Sequence, residues 1–312
     1  MTTNTLKRDL KSWCLLFFLG FIWGFSFLAV SISLESFSPI QVAAWRIIIG
    51  AFVVLVFCLA IGEGLPKFNS AGRSIWPYCA GMALLSNVIP FCLLSWALLH
   101  VTSSFAGITM TMVPLAVLPL AHIFGKGDYM TPRKVIGFLI GFAGVLFLFE
   151  PSEILNFSFH ESTILAKMLC LLATLCYATG SIITRRSPQT VSSLSFSAGA
   201  LLLAALIIAP ISFIFSDLAT VITFRSVIGV LFLGFLPTGI ATIILVYLVK
   251  NSGPSFMSLV NYQVPIWAVL FGVFFNQETL PASAFLALLL ILFGLFFSQY
   301  KKINQGYCDS LG

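Results

Sequence analysis

Charged residues are scarce in this sequence of 312 residues. Asp, Glu, Lys and Arg make up 8% of the chain, whereas soluble domains carry about 25% and need them to keep their surfaces in water. Hydrophobic residues make up 59%, and the mean hydropathy is +1.06. This composition excludes a soluble globular protein and predicts a protein that lies in a lipid bilayer.

Several kinds of site are missing as well. The seven cysteines are scattered singly, without a C-x-x-C pair or a histidine cluster nearby, so neither a disulfide framework nor a zinc site is indicated. The sequence has no P-loop, which argues against ATP as the direct energy source. No serine–histidine pair, paired aspartates or His-rich motif lies at membrane depth. We therefore predict no catalytic residue, no metal and no cofactor, in a protein that is not an enzyme.

Apolar segments long enough to cross a bilayer recur along the chain. About 20 apolar residues in a helix cross roughly 30 Å of hydrocarbon. Short breaks rich in Gly, Pro and Ser separate the segments. The predicted fold is an all-α integral membrane protein with ten transmembrane helices, at approximately 13–33, 40–61, 75–97, 103–124, 133–149, 164–184, 193–215, 226–248, 254–275 and 281–299.

The basic residues indicate the orientation, because Lys and Arg in short loops stay in the cytoplasm. With a cytoplasmic N-terminus, the opposite side receives Lys167 and Arg225, while Arg46 lies within a helix. The other basic residues are then cytoplasmic: Lys7, Arg8, Lys11, Lys67, Arg73, Lys126, Arg133, Lys134, Arg185, Arg186, Lys250, Lys301 and Lys302. We predict a multi-pass inner-membrane protein with both termini in the cytoplasm. The net charge of +6 reflects this orientation and not a nucleic-acid partner.

The two halves of the sequence resemble each other weakly. SSFAGITMTMVPLAVL, from Ser103, aligns with PSFMSLVNYQVPIWAV, from Pro254, and pairs Pro114 with Pro265 in the fourth helix of each half. Five helices per half is an odd number, so the second copy must enter the membrane inverted. We predict repeats over 1–150 and 151–312, the second with a short cytoplasmic tail.

These residues resemble the drug/metabolite transporter superfamily, EamA type. The resemblance rests on Trp23-Gly24, a Ser38-Pro39 helix entry, Arg46, Val113-Pro114 and the glycines of the fifth helix, Gly137, Gly141 and Gly144. It implies a ten-helix carrier of small organic metabolites, often an exporter of amino acids or related compounds. The second half departs from the pattern, because its seventh helix has no arginine.

Polar and aromatic residues share the depth of the helix middles. Amides and hydroxyls beside aromatic rings suit a zwitterion or an amphipathic metabolite better than a multiply charged phosphate. The alternative is that they only join neighbouring helices, for about 0.6 kcal/mol each. The candidate substrate-binding residues are Trp23, Asn87, Thr111, Met112, Tyr177, Thr238, Asn261, Tyr262, Gln263 and Trp267.

Four prolines also lie in the middle of predicted helices. Each lacks an N–H and leaves the carbonyl four residues back without its helical partner, so the helix can bend there. The predicted hinges are Pro90, Pro114, Pro237 and Pro265.

Arg46 lies about two turns from the outer end of its helix and has two interpretations. It is either an anchor for a carboxylate or phosphate of the substrate, or it bonds helix-end carbonyls, Glu35 or Glu150. No Asp or Glu lies at hydrocarbon depth. Coupling to an ion would therefore use His122 or backbone carbonyls, or transport would not be coupled to an ion. The alternative for His122 is an interfacial histidine without a role in coupling.

The sequence predicts a secondary transporter that works by alternating access on a small-molecule substrate, most simply an exporter of amino acids or similar compounds. The alternatives are a channel, a membrane-embedded enzyme, or an importer of a vitamin, a nucleotide or a quaternary amine. Gly20-x-x-x-Gly24 and Gly137-x-x-x-Gly141 indicate close packing within the bundle, with a homodimer interface as the alternative.

Overall fold

The computed structural model describes residues 9–67, 73–124, 129–149, 161–188, 191–215 and 221–299. Within these ranges the chain forms ten helical segments. They are α1 (Leu10–Ser33), α2 (Pro39–Ala60), α3 (Trp76–Ala97), α4 (Ser103–Phe124), α5 (Pro132–Leu148), α6 (Glu161–Arg186), α7 (Ser193–Ile214), α8 (Phe224–Ser252), α9 (Pro254–Met257 and Val260–Asn276) and α10 (Ala282–Gln299).

Eight of these helices are long and apolar enough to cross a membrane, and Val260–Asn276 is a shorter apolar helix. Side-chain oxygens fix several starting points, because each accepts the N–H that the first turn leaves unpaired. Ser38 forms a capping box with Gln41 in front of Pro39. A single side-chain oxygen caps each of five further helices, at Asp9, Thr102, Thr131, Ser192 and Thr223.

The helices of the two halves pack in a reciprocal pattern. α1 packs on α8 and α9 of the second half, and α6 packs on α3 and α4 of the first half. In the same way α2 contacts α8, α7 contacts α3, and α2 pairs with α7 and α5 with α10. Exchanging the halves leaves this pattern unchanged, as a two-fold relation between repeats requires. The predicted fold class, an all-α membrane protein built from two five-helix repeats, is confirmed.

The third helix of each half contains a π-helical turn. The turns lie at Leu84–Val88 in α3 and Gly234–Ile240 in α8. In the first, Asn87 Nδ2 donates a hydrogen bond to the Met82 carbonyl at 3.1 Å. In the second, Thr238 Oγ1 donates to the Leu233 carbonyl at 2.8 Å. Equivalent side chains thus satisfy the carbonyl that each irregular turn releases, which is why this geometry persists inside a bilayer.

Glycines bring the fifth helices of the two halves into backbone contact. A Cβ added to Gly294 would lie 2.5 Å from the Gly137 carbonyl oxygen and 2.7 Å from the Gly141 nitrogen. On the other side of the bundle, a Cβ on Gly24 would lie 2.3 Å from Trp267 Cβ. The motif glycines in α1 and α5 therefore lie against helices of the same chain, in agreement with packing inside the bundle.

Candidate functional site

Arg46 connects α2 to the irregular turn of α8. Its Cα lies about 10 Å along the axis from the start of α2. Arg46 Nε donates a hydrogen bond to Thr238 Oγ1 at 2.9 Å, and the guanidinium carbon lies 3.9 Å from the centre of the Phe91 ring. Because Thr238 gives its own proton to the Leu233 carbonyl, its lone pairs face Arg46. A cation–π contact and a fixed acceptor therefore hold the guanidinium in place.

The remaining donors of Arg46 are not used by the described part of the chain. A guanidinium carries five N–H groups, and the Nε–H is the one that bonds a described residue. The alternative in which Glu35 pairs with Arg46 is wrong, since Glu35 lies 3.5 Å from Arg225 in an exposed ion pair. Glu150 lies outside the described residues. The two terminal nitrogens of Arg46 therefore keep N–H donors that no described residue accepts.

Two further predicted site residues, Trp23 and Tyr177, lie next to the residues that contact Arg46. Trp23 Nε1 donates a hydrogen bond to the Pro237 carbonyl at 3.0 Å, in the same turn of α8. The Tyr177 ring lies 6.5 Å from the Phe91 ring that supports Arg46. We call Trp23, Arg46, Phe91, Tyr177 and Thr238 the Arg46 cluster. It draws residues from α1, α2, α3, α6 and α8, and so from both repeats.

Asn261 and Tyr262 face other parts of the bundle. Asn261 Nδ2 donates to the Ser258 carbonyl at 3.1 Å, within the interruption of α9. The Tyr262 hydroxyl donates to Gln299 Oε1 at 3.4 Å, where α10 ends. Both side chains are therefore directed toward the end of the bundle at which α1 begins, and neither contacts Arg46.

Gln263 and Trp267 lie in the contact between α9 and α1. The Trp267 ring meets the Phe17 and Phe21 rings edge-on, each at 5.2 Å. The Gln263 side chain lies against Gly20, and its Oε1 is buried without a hydrogen-bond partner among the described residues. Gln263 and Trp267 therefore belong to the contact between α1 and α9 and not to the Arg46 cluster.

The predicted residues of α4 are largely enclosed. Thr111 is buried and donates its hydroxyl proton to the Ile108 carbonyl, at the break between the two parts of α4. Met112 packs in the main hydrophobic core. Asn87 of α3 is buried as well, and its side chain donates to a carbonyl of α3.

The four prolines differ in their surroundings. Pro237 lies inside the π-helical turn of α8, and the carbonyl it releases accepts the Thr238 hydroxyl. Pro90 follows the π-helical turn of α3. Pro265 is buried within α9, and Pro114 lies half-buried near the start of the second part of α4.

A cavity of about 420 Å³ opens at the end of the bundle where α1 ends and α4 begins, which we call the far end. Residues of both repeats line it, among them His100, Phe105, Lys167 and Glu278. Lys167 is only 6% exposed, and its ammonium lies 5.7 Å from the centre of the Phe105 ring. The orientation predicted from the basic residues puts Lys167 on the outer side, and neither Lys167 nor Glu278 is among the predicted site residues.

Glu278 accepts hydrogen bonds from the first turn of α4. Its Oε1 accepts from Ser103 N–H at 2.8 Å, from Ser103 Oγ at 2.7 Å and from Asn276 Nδ2 at 3.2 Å. Its Oε2 accepts from Ser104 N–H at 3.0 Å and from the Ser104 hydroxyl. Burial alone would raise the pKa of this carboxyl, but the hydrogen bonds from Ser104, Ser103 and Asn276 outweigh it and lower the pKa below its usual value.

Comparison with known proteins agrees with this architecture. The sequence model of the EamA-like transporter family matches residues 10–150 and again residues 164–300. The uncharacterized transporter YoaV of Bacillus subtilis (strain 168) is 25% identical over 280 residues, which cover 89% of this chain and 93% of that protein. The uncharacterized inner membrane transporter YedA of Escherichia coli (strain K12) is 27% identical over 291 residues, covering 90% and 88%.

A solved crystal structure shares the fold. It is 21% identical in sequence, has a TM-score of 0.64, and the match covers 93% of this chain and 97% of that chain.

Protein PecM of Dickeya dadantii (strain 3937) is 22% identical over 297 residues, covering 92% of this chain and 94% of that protein. With the family matched in both halves and the membrane helices in place, this chain is a multi-pass membrane transporter that belongs to the EamA-like transporter family.

Proposed function

We propose that this protein is a secondary transporter of small zwitterionic or amphipathic compounds, such as amino acids, that works by alternating access. The repeats 1–150 and 151–312 would be the units that move against each other. The protein would lie in the inner membrane with both termini in the cytoplasm and would export its substrate. Epitope tags at the two termini of the protein in spheroplasts should then both be shielded from an external protease.

One observation carries this proposal, the Arg46 guanidinium. Arg46 is held by Thr238 and by the Phe91 ring, and its terminal nitrogens bond no described residue. The planar fork of a guanidinium binds a carboxylate through two parallel hydrogen bonds. A carboxylate of the substrate would remove the cost of an uncompensated charge at this depth, so the free energy of binding should depend on that group.

The rings around Arg46 support the choice of substrate class. The Phe91 ring contacts the guanidinium, and Trp23 and Tyr177 add two further rings to the cluster; an aromatic face can bind an ammonium or an apolar side chain. Arg46 is the cation of this cluster, whereas a phosphate with two charges would favour several. Because the cluster is shared between the repeats, a relative movement of the repeats would change access to it.

Ligand-induced stabilisation of the purified protein tests this proposal. Amino acids, vitamins, nucleotides and quaternary amines would be screened for an increase in melting temperature, and each active carboxylate compared with its amide. We expect the carboxylate to stabilise and the amide to do so far less. Arg46→Met should abolish the effect and Arg46→Lys should retain part of it, since lysine keeps the charge but loses the fork. Tyr262→Phe is the matched control outside the cluster and should bind as the wild type does.

Transport in proteoliposomes completes the test. Unlabelled substrate on the opposite side should accelerate the uptake of labelled substrate, since a carrier exchanges one for the other. Conductive flux without this acceleration would identify a channel, and a shift that survives in Arg46→Met would remove Arg46 from the binding site.

A further inference from the structure

We propose that Glu278 closes the far end of the protein by holding the first repeat to the second, and that the release of its hydrogen bonds opens the transport route at this end. The proposal rests on the proposed function in one respect, the movement of the two repeats against each other. It does not depend on Arg46 or on the class of substrate. Glu278 is a positioning residue in this role, since it sets whether the far end is closed and does not bind the substrate.

Four of the five hydrogen bonds to Glu278 cross from one repeat to the other. Ser103 and Ser104, in the first turn of α4, each donate a backbone N–H and a side-chain hydroxyl to the carboxylate. The fifth bond comes from Asn276, which belongs to the same repeat as Glu278. Both serines are at most 1% exposed, and the positive end of the α4 dipole favours the negative charge. Separation of the repeats at this point therefore requires that four bonds break.

The α9–α10 turn directs Glu278 back toward α4. Gln277 ends α9 in the left-handed conformation, with a φ of 52°, and Glu278 N–H then donates to the Gly272 carbonyl at 3.0 Å. A Cβ on Gly272 would collide with Glu278 Oε2 and Ser104 Oγ, so this glycine leaves the space in which the two side chains meet. A non-glycine residue keeps a left-handed backbone where its surroundings hold it there. The turn thus brings the carboxylate to the first turn of α4.

Two other polar contacts between the repeats at this end are weaker. Ser36 and Thr223 share a hydrogen bond between neutral hydroxyls. Glu35 and Arg225 form an exposed ion pair, which contributes little in water. Hydrogen bonds to a charged group are about twice as strong as neutral ones, and Glu278 is partly buried. Glu278 is therefore the strongest of these three contacts, and its release is the main step in opening the far end.

The far-end cavity makes the release reversible. Glu278 lines this cavity of about 420 Å³, so water can solvate the carboxylate once it leaves Ser103 and Ser104, and no charge remains in an apolar environment. Lys167 and His100 line the same cavity. Lys167 belongs to the second repeat, as Glu278 does, so its relation to the carboxylate need not change when the repeats separate.

Thiol labelling at each end of the bundle tests the role of Glu278. Ala284 is 5% exposed and lines the far-end cavity, so the rate at which N-ethylmaleimide labels Ala284→Cys reports opening of the far end. Ser252 is 6% exposed and bonds Ser12 at the opposite end, so Ser252→Cys reports opening there. Labelling is followed in purified protein without substrate, at the peptide that holds the new cysteine, which separates it from the native cysteines.

Glu278→Gln should raise the labelling rate of Ala284→Cys about tenfold, the effect of losing one hydrogen bond to a charged group. It should leave the rate of Ser252→Cys unchanged or lower. Glutamine keeps the shape but places an amide NH₂ against the N–H donors of α4. Glu35→Gln, the control at the same end, should change the rate less than about twofold. No rise at Ala284→Cys would overturn the proposal, and so would an equal rise at both cysteines, which would indicate general destabilisation.

Two further variants separate the bonds between the repeats from the bond within one repeat. Ser103→Ala and Asn276→Ala each remove one side-chain donor from Glu278 Oε1, but Ser103 belongs to the other repeat and Asn276 does not. We expect faster labelling of Ala284→Cys in Ser103→Ala and not in Asn276→Ala. Equal rates in the two variants would overturn the proposal, because the carboxylate would then stabilise its own turn without joining the repeats.

Exchange of substrate in proteoliposomes tests the proposed function separately. Exchange by the wild type without any labelling difference between the variants would overturn the role of Glu278 and leave the carrier mechanism in place. A labelling difference without exchange would overturn the carrier mechanism, and Glu278 would then close the far end of a protein that does not transport by alternating access.

Discussion

Arg46 and Thr238 lie 192 residues apart and belong to different repeats, yet Arg46 Nε donates a hydrogen bond to the Thr238 hydroxyl at 2.9 Å. The same hydroxyl donates to the Leu233 carbonyl. A Cβ on Gly50 would lie 2.4 Å from the Thr238 methyl group, so α2 and α8 are in close contact at this point. Thr238 therefore joins the irregular turn of α8 to the cation of the cluster.

Replacing Thr238 should separate the effect of its hydroxyl from that of its shape. Thr238→Val keeps the shape but leaves Arg46 Nε and the Leu233 carbonyl without their partner, which should cost about 1–3 kcal/mol. Thr238→Ser keeps the hydroxyl and should cost less. Thermal denaturation of the purified variants measures the difference. A valine variant as stable as the serine variant would contradict this role of the hydroxyl.

The carboxyl of Glu278 should make stability depend on pH. Its pKa in the folded protein is below the usual 4.5, so its stabilisation is present above that value and disappears as the pH falls through the folded-state pKa. Glu278→Gln should lower the free energy of unfolding at pH 7 by about 1.5 kcal/mol, the lower end for bonds to a charged group, because the side chain is partly exposed. The free energy of unfolding of the variant should also fall less than that of the wild type as the pH is lowered.

Glu35 provides the control for that experiment. It is exposed and lies 3.5 Å from Arg225 in an exposed pair, so Glu35→Gln should change the stability at pH 7 by less than about 1 kcal/mol. If the free energy of unfolding depended on pH in the same way in both glutamine variants and the wild type, the hydrogen bonds from Ser103 and Ser104 to Glu278 would contribute nothing measurable to stability.

The helices were predictable because a bilayer fixes their length. The sequence places α7 at 193–215 and the structure at Ser193–Ile214, since the apolar run must cross the hydrocarbon and a serine cap begins it. The depth of a residue along its helix follows from the same count. The reciprocal packing of the halves agrees with the inversion that five helices per half require.

The rotation of each helix was not predictable. From Val264 to Phe275 the helix α9 is apolar on all sides, so its sequence does not tell which face meets α1 and which meets other helices. Asn261 and Tyr262 accordingly bond Ser258 and Gln299 and not the Arg46 cluster. Glu278 was missed because it lies in a turn, and only the tertiary structure brings the N-terminus of α4 to it.

Gly294 should be among the least replaceable residues of the bundle. A Cβ there would meet the backbone of α5 at 2.5 Å, and backbone atoms cannot move aside as a side chain can. Gly294→Ala should therefore destabilise the protein by about 1–3 kcal/mol, through overpacking. Gly81→Ala is the matched control, because its Cβ would meet only the Ile183 side chain at 3.1 Å. Melting temperatures that fall equally in both variants would contradict the backbone contact between α5 and α10.

Hydrogen bonds join the two repeats at both ends of the bundle, and these contacts allow a test of alternating access. Ser12 Oγ lies 2.9 Å from Ser252 Oγ where α1 begins, and Ser36 Oγ lies 3.2 Å from Thr223 Oγ1 at the opposite end. A carrier must open one end at a time, so a covalent link at either pair should stop exchange.

Cysteine pairs at these positions would make that link, because the oxygens that the sulfurs replace lie 2.9 Å and 3.2 Å apart, and an S–S bond of about 2.05 Å requires a further approach of only about 1 Å. We expect substrate exchange in proteoliposomes to stop when either the Ser12→Cys/Ser252→Cys or the Ser36→Cys/Thr223→Cys protein is oxidised, and to return with a reductant. The single-cysteine variants should be active under both conditions. Rapid exchange through both oxidised proteins would mean that neither contact opens during transport, and the two repeats would then not move against each other at the α1–α8 contact.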